Sequence, residues 1–187
     1  MTLHIKHMVC PRCIAAVKDA AVQAGLQPTA VRLGEVDLEY PPTDEQLNDF
    51  DTALVAHGFE RIENRKLRLV EAIKAAIISL IHHSEDEQPK ENLSHYLAGK
   101  LHHDYTYLSN LFSAEEDATI EHYYIAQKIE RVKELLTYDE WTLSEIAWRM
   151  GYSSTAHLST QFKKVTGMTP SAFKNSAEKH RHPLTDL

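Results

Sequence analysis

The sequence predicts an α+β protein in which a small domain of mixed strands and helices precedes an all-α domain. Up to about residue 63, short alternating apolar segments and helical segments take turns. From residue 64 onward, apolar residues recur with the 3.6-residue period of a helix. The charge also changes along the chain: residues 70–141 hold six Lys and Arg against fourteen Asp and Glu, whereas residues 142–182 hold six against two. The cationic segment near the C-terminus is therefore where a polyanion would bind.

Six segments of the first domain have the spacing of strands and helices, and Gly or Pro residues separate several of them. They are strands at 3–7, 29–33, 35–40 and 59–62 and helices at 13–24 and 44–57. The resulting order, βαββαβ, is that of the ferredoxin-like plan. We therefore expect a ferredoxin-like domain at residues 1–65.

Helices account for the remainder of the predicted elements. We expect them at 64–83, 92–101, 104–113, 120–136, 143–150 and 155–165, with one more opening at Thr169-Pro170. The longest apolar stripe belongs to the first of them, and the polar run 84–89 is the clearest loop. We therefore expect a connecting helix and loop at 66–89 and an all-α domain at 90–178.

Residues 142–174 have the pattern of a helix-turn-helix unit. Apolar positions of the first helix and the pair Leu158 and Phe162 of the second are expected to face inward, and Gly151 suits the turn between the helices. The opposite face of the second helix carries small, mostly polar residues, namely Thr155, Ala156, Ser159 and Thr160. Such a face presents hydrogen-bonding groups to base edges in a major groove. Cations expected near the phosphates are Arg149, Lys163, Lys164 and Lys174.

This segment resembles the DNA-binding domain of the AraC-type transcription regulators. The motifs that carry the resemblance are IAxxxGY, LxxxFKK and GxTP, in register from Ile146 to Pro170. The resemblance implies two helix-turn-helix units, the first at 92–113 and the second at 142–165, joined by a central helix at 120–136. In the first unit, the residues that would contact DNA are Thr106, Ser109 and Asn110.

The first unit departs from the family pattern in its charge. Where the family usually has basic residues after the first recognition helix, this chain has FSAEED at 112–117. Lys128 and Lys174 stand at two positions where the family usually has Arg. Because acidic side chains oppose a phosphate backbone, we expect the second unit to be the stronger DNA reader.

A second motif, HMVCPRC at residues 7–13, places two thiols three residues apart between the first strand and the first helix. The helix N-terminus and Arg12 favour thiolates, and sulfur ligands select Cu(I) or Zn(II). The loop resembles the GMxCxxC loop of heavy-metal-associated (HMA) domains, a resemblance that covers residues 1–65. It implies Cys10 and Cys13 as metal ligands. His7, which stands where that family has Gly, is a candidate third ligand. A redox dithiol and a fold retained only for contacts remain open.

Together these patterns predict a cytoplasmic, non-enzymatic regulator that binds double-stranded DNA and responds to a soft metal ion. The chain has no phosphate-binding loop, no grouping typical of a catalytic triad and no apolar run long enough for a membrane helix. RNA polymerase and a second copy of the chain are further candidate partners. Two alternatives stay open: a cytosolic metal-binding, chaperone-like protein, and a constitutive regulator whose N-terminal domain only mediates protein contacts.

Overall fold

The computed structural model describes residues 1–83, 92–138, 140–176, 181, 183 and 184. The chain divides into two compact units, residues 1–76 and 77–187. The division falls inside the segment that the sequence predicts as a connection. No helix in the described ranges is long and apolar enough to cross a membrane.

The compact unit of residues 1–76, here called the N-terminal unit, is built around a four-stranded sheet. Its elements are β1 (Thr2–Lys6), α1 (Pro11–Gln23), β2 (Pro28–Arg32), β3 (Glu35–Leu38), α2 (Asp44–Ala56) and β4 (Glu60–Ile62). The strands lie in the order β2-β3-β1-β4, and every neighbouring pair is antiparallel. This is the same succession of strands and helices that the sequence predicts.

The core of the N-terminal unit forms because alternate strand residues point to one face of the sheet. Leu3 and Ile5 of β1 are buried with Phe50 and Leu54 of α2 in one apolar cluster. The guanidinium of Arg61 in β4 is bound by both carboxylate oxygens of Asp51 in α2, each at 2.8 Å. The thiol-bearing loop therefore leaves a well-packed strand and enters a well-packed helix.

Seven helices follow in the described part of the chain. They are α3 (Arg65–His82), α4 (Leu93–Leu101), α5 (Tyr105–Glu116), α6 (Ile120–Tyr138), α7 (Leu143–Arg149), α8 (Thr155–Thr166) and α9 (Pro170–Asn175). Two predicted segments lie outside the described residues. They are the stretch 84–91, which includes the predicted loop at 84–89, and residues 177 and 178 at the end of the predicted all-α domain.

Side-chain caps fix where the last three helices begin. Thr142 and Glu145 form a reciprocal capping box at α7, and Ser154 accepts a hydrogen bond from the His157 backbone N–H at α8. Thr169 caps α9 immediately before Pro170. These caps explain why the predicted helix starts agree with the structure.

Most predicted helix ends lie within two residues of the observed ones, and the largest difference is at the end of α5. The sequence places the end of the first recognition helix at residue 113, whereas α5 continues to Glu116. The helix ends at Asp117, whose φ of 50° is left-handed. Glu115 and Glu116 therefore belong to α5 rather than to the following loop.

Candidate nucleic-acid interface and thiol site

The second helix-turn-helix unit rests on a buried apolar core. Its members from α6, α7, α8 and α9 are Ile129, Val132, Leu136, Ile146, Ala147, Leu158, Phe162 and Phe173. The rings of Phe162 and Phe173 meet edge to face, with centroids 5.6 Å apart. At the turn, Gly151 has a φ of 69° and the Tyr152 N–H donates to the Ala147 carbonyl at 2.9 Å. The predicted anchors Leu158 and Phe162 are confirmed as buried.

The face of α8 opposite this core is exposed for most of its length. Thr155, Ala156 and Thr160 are exposed, and so are the cations Lys163 and Lys164. Ser159 is only half-buried, because it lies three residues before Phe162 at the edge of the apolar stripe. The structure thus leaves three of the four predicted base-contacting residues fully open.

The two remaining predicted phosphate contacts are held differently. Arg149 is exposed, and its guanidinium stacks on the Trp141 ring, with the guanidinium carbon 3.7 Å from the ring centroid. This cation–π contact restricts the side chain without neutralising its charge. Lys174 lies on α9 and is half-buried.

The corresponding face of α5 in the first unit has polar groups but no cation. Thr106 and Asn110 are exposed, and Ser109 is half-buried. Tyr107, which the sequence pattern does not single out, is exposed, and its ring centroid lies 5.5 Å from that of His103. α5 contains no Lys or Arg, so it offers no lysine or arginine side chain to a phosphate.

A buried lysine beneath the second helix-turn-helix unit is the main feature that the sequence pattern does not predict. Lys128 on α6 is 8% exposed, and its Nζ lies 4.1 Å from the Tyr152 ring centroid and 5.4 Å from that of Tyr124. Burial lowers the pKa of Lys128 to about 8. Its spacing of three residues from Ile125 and four from Val132 places it on the inward stripe of α6, which is the signal that could have revealed it.

The two thiols lie at the N-terminus of α1. Cys10 is the N-cap residue, its Sγ is 3.2 Å from Cys13 Sγ, and both side chains are half-buried. Burial opposes ionisation of Cys10, but hydrogen bonds from the Cys13 thiol and from the backbone N–H groups of Cys13 and Arg12 outweigh it and lower its pKa. Burial raises the pKa of Cys13. One sulfur of the pair is thus the readier thiolate.

His7 is not brought into a metal-binding group with the thiols. Its backbone φ is 71°, and its Nδ1 lies 3.3 Å from the Gly58 carbonyl oxygen. Among the residues that the structure describes, no three His, Cys, Asp or Glu side chains gather where they could hold a metal ion. The described geometry therefore offers two sulfur donors, and the third ligand at His7 stays a prediction.

Comparison with known proteins gives matches to regulators. Residues 97–176 match the model of a family described as a helix-turn-helix domain. The regulatory protein PocR of Salmonella typhimurium is 26% identical over 77 residues, which cover 41% of this chain and 25% of PocR. YtdP of Bacillus subtilis, an uncharacterised helix-turn-helix-type transcriptional regulator, is 28% identical over 98 residues, or 52% of this chain and 12% of YtdP.

Among solved structures, the C-terminal domain of AraT, a response regulator from Geobacillus stearothermophilus, is similar with a TM-score of 0.49 and 26% identity. That alignment covers 64% of this chain and 98% of the AraT chain. The present chain spans a quarter or less of the length of the two curated relatives. The family match begins at residue 97, so the HMA resemblance of residues 1–65 stays a prediction.

Proposed function

We propose that the chain is a transcription regulator of the AraC type that binds specific double-stranded DNA through its second helix-turn-helix unit. The match of residues 97–176 to a helix-turn-helix family model supports this proposal. The observation that carries the proposal is the outer face of α8. It combines exposed Thr155, Ala156 and Thr160 with exposed Lys163 and Lys164, above a fully packed core. A rigid helix with small polar groups and flanking cations suits a major groove.

In this mechanism, base recognition and phosphate binding belong to different residues. Thr155 and Thr160 offer hydroxyl groups to base edges, and the Ala156 methyl group suits contact with a thymine methyl. Lys163 and Lys164 contact phosphates and supply affinity that is independent of sequence. Arg149, held against Trp141, presents a preoriented guanidinium to a phosphate.

The first helix-turn-helix unit has a smaller part in the proposed complex with DNA. Thr106, Ser109 and Asn110 can form hydrogen bonds with bases or with water, but α5 has no cation to hold it on the phosphate backbone. We therefore assign most of the affinity to the second unit. RNA polymerase and a second copy of the chain remain further proposed partners.

The proposal is tested by changing the base-contacting residues separately. A duplex selected from a random pool by the wild-type protein is compared with a scrambled duplex. Thr155→Ala and Thr160→Ala should each weaken binding to the selected duplex by 1–3 kcal/mol per lost base contact, or about 5- to 150-fold. Binding to the scrambled duplex should not change.

Thr137→Ala is the matched control, because Thr137 is exposed on α6 and its hydroxyl group donates to the Lys133 carbonyl of the same helix. This variant should bind both duplexes like the wild type. Equal losses on selected and scrambled DNA for the α8 variants would contradict the assignment of Thr155 and Thr160 to base recognition.

For the first unit of the chain, we propose an HMA-like, ferredoxin-like domain whose Cys10 and Cys13 bind one soft ion, Cu(I) or Zn(II). The strand order β2-β3-β1-β4 supports the ferredoxin-like assignment. Two half-buried sulfurs at a helix N-terminus suit a soft cation. The two sulfurs lie 3.2 Å apart and would hold the ion between them.

The metal proposal is tested by competition for Cu(I) with a weak chelator under reducing conditions. The wild type should take up one ion, and the Cys10→Ser/Cys13→Ser variant should take up none. His7→Ala should retain uptake, because the His7 ring lies against the Gly58 carbonyl rather than in a group with the sulfurs. Uptake by the double variant would contradict the proposal.

The same experiments separate the alternatives. DNA binding that is identical with and without Cu(I) would favour a constitutive regulator whose N-terminal domain only mediates contacts. Metal uptake without any salt-dependent DNA binding would favour a metal-handling, chaperone-like protein.

A further inference from the structure

A buried lysine, Lys128, lies against two tyrosine rings at the base of the second helix-turn-helix unit. We propose that Lys128 is a positioning residue, whose ammonium holds the Tyr152 ring and thereby sets the recognition helix α8 for specific DNA binding. This inference rests on the proposed function and adds a determinant of specificity that does not itself face DNA.

The contacts of Lys128 are aromatic. Its Nζ lies 4.1 Å from the centroid of the Tyr152 ring and 5.4 Å from that of Tyr124. Within the described part of the chain, this ammonium has neither a carboxylate partner nor a hydrogen-bond acceptor. A desolvated cation over a ring face is attracted by the ring quadrupole, so the contact has a preferred geometry.

Tyr152 transmits that geometry to α8. Its N–H donates to the Ala147 carbonyl of α7 at 2.9 Å, which fixes the turn. Its ring meets the His157 ring of α8 edge to face, at 5.3 Å and 89°. His157 Nδ1 in turn lies 3.1 Å from Ser153 Oγ. The aromatic pair therefore links the central helix to the first turn of the recognition helix.

The charge of Lys128 is costly for folding, which argues that it serves another purpose. Taking an ammonium out of water without a carboxylate partner is unfavourable, and an apolar side chain of similar size often stabilises a protein at such a site. A residue retained only for packing would be better as Met or Leu. Fixing the orientation of a ring that contacts the recognition helix is a role that an apolar side chain cannot take over.

The acid–base behaviour of the cluster supplies a readout. Burial lowers the pKa of Lys128 to about 8, so its charge is present at pH 7 and is lost as the pH rises past that value. Among the described residues, the titratable groups that the structure places against it are Tyr124 on the same helix and Tyr152 at the turn. Burial raises the pKa of both tyrosines, so they stay neutral in this range.

The test compares Lys128→Met, which removes the charge, with Lys128→Arg, which keeps it at every pH of interest. Lys128→Met should bind the selected duplex about ten-fold more weakly and the scrambled duplex like the wild type. Its unfolding midpoint should be equal to or higher than that of the wild type. Lys128→Arg should retain specific binding. Between pH 7 and pH 9, the ratio of selected to scrambled affinity should fall for the wild type and stay constant for Lys128→Arg.

A second pair of variants tests the same contact from the other side. Tyr152→Phe keeps the ring and should retain specific binding, whereas Tyr152→Leu removes the ring and should lose about as much as Lys128→Met. Specific binding by Lys128→Met equal to that of the wild type would overturn the inference. So would a lowered unfolding midpoint accompanied by equal losses on both duplexes, which is the result expected of a purely structural residue.

Failure of the inference can be told apart from failure of the proposed function. A wild-type protein that prefers no duplex refutes the proposed function, and the positioning is then read without DNA. The NMR signals of the Tyr152 and His157 rings should shift in Lys128→Met and remain close to the wild type in Lys128→Arg. Unchanged ring signals in Lys128→Met would overturn the positioning role.

Discussion

His7 adopts a backbone conformation that few side chains tolerate. Its φ of 71° lies in the left-handed region, where glycine is free of strain and histidine is tolerated better than most residues. The contact of its ring with the Gly58 carbonyl offsets part of the cost. This geometry gives a physical reason for the Gly that HMA-type loops have at the same place.

The strain at His7 predicts an order of stability. The free energy of unfolding of His7→Gly should lie within about 0.5 kcal/mol of that of the wild type, because relief of strain balances the greater freedom of glycine in the unfolded chain. His7→Ala keeps the strain but loses the ring contact, so it should be less stable by about 1 kcal/mol. Urea denaturation of the reduced proteins measures both, and a Gly variant weaker than the Ala variant would contradict this account.

The hydroxyl group of Tyr152 predicts a stabilising substitution. Its Oη is buried and has no hydrogen-bond partner among the residues that the structure describes, which costs about 1–3 kcal/mol of desolvation. Tyr152→Phe removes the hydroxyl group and keeps the ring, so it should raise the free energy of unfolding by about 1 kcal/mol. Thermal and urea denaturation check this value. A variant less stable than the wild type would show that the hydroxyl group has a partner in solution.

Single residues were predictable where periodicity decides their place. Leu158 and Phe162 are buried as predicted, because apolar residues four apart form one helical stripe. Helical spacing places Lys128 on the inward stripe of α6 and Tyr124 one turn before it, but residue type predicts exposure for lysine, and only tertiary packing brings Tyr152 against its ammonium.

At the scale of elements, the sequence predicted helices well because caps mark their ends. Thr142, Ser154 and Thr169 each cap the helix that follows. The end of α5 was missed because the acidic run after Phe112 has no Gly or Pro to stop the helix. The helix stops only where Asp117 turns left-handed.

The longer α5 carries two acidic side chains, Glu115 and Glu116, at the end of the first recognition helix, and we expect them to weaken DNA binding. Glu115→Gln should strengthen binding to selected and scrambled duplexes by the same modest factor, more at low salt than at high salt, because it removes repulsion of phosphates. Glu45→Gln, an exposed change on α2, should have no such effect. Unchanged affinity in Glu115→Gln would mean that α5 lies away from the DNA.

At the scale of the molecule, two compact units in one chain raise the question of coupling. The sequence predicted a mixed domain and a helical domain from the change of period, and the structure has a sheet-containing unit followed by a helical one. The ligand of the N-terminal unit could not be derived from the sequence, because two thiols suit several soft ions and also redox chemistry. A ligand changes DNA affinity only if it binds the DNA-bound form of the protein and the free form with different affinity.

If the N-terminal unit senses a metal ion, Cu(I) should change the DNA affinity of the wild type and leave that of the Cys10→Ser/Cys13→Ser variant unchanged. The reduced proteins are titrated onto the selected duplex with and without Cu(I) held in a weak chelator. A shift of equal size in both proteins would show that the ion acts at another place. No shift in the wild type would separate metal binding from regulation.

The central claim, that α8 and its cations bind DNA, is tested most directly by the salt dependence of binding. The logarithm of the wild-type affinity for the selected duplex should fall linearly with the logarithm of the salt concentration. Lys163→Ala and Lys164→Ala should each reduce that slope by about one unit and weaken binding to selected and scrambled duplexes alike. A wild-type protein that binds the selected duplex no better than the scrambled one, or a slope unaffected by either substitution, would contradict the account.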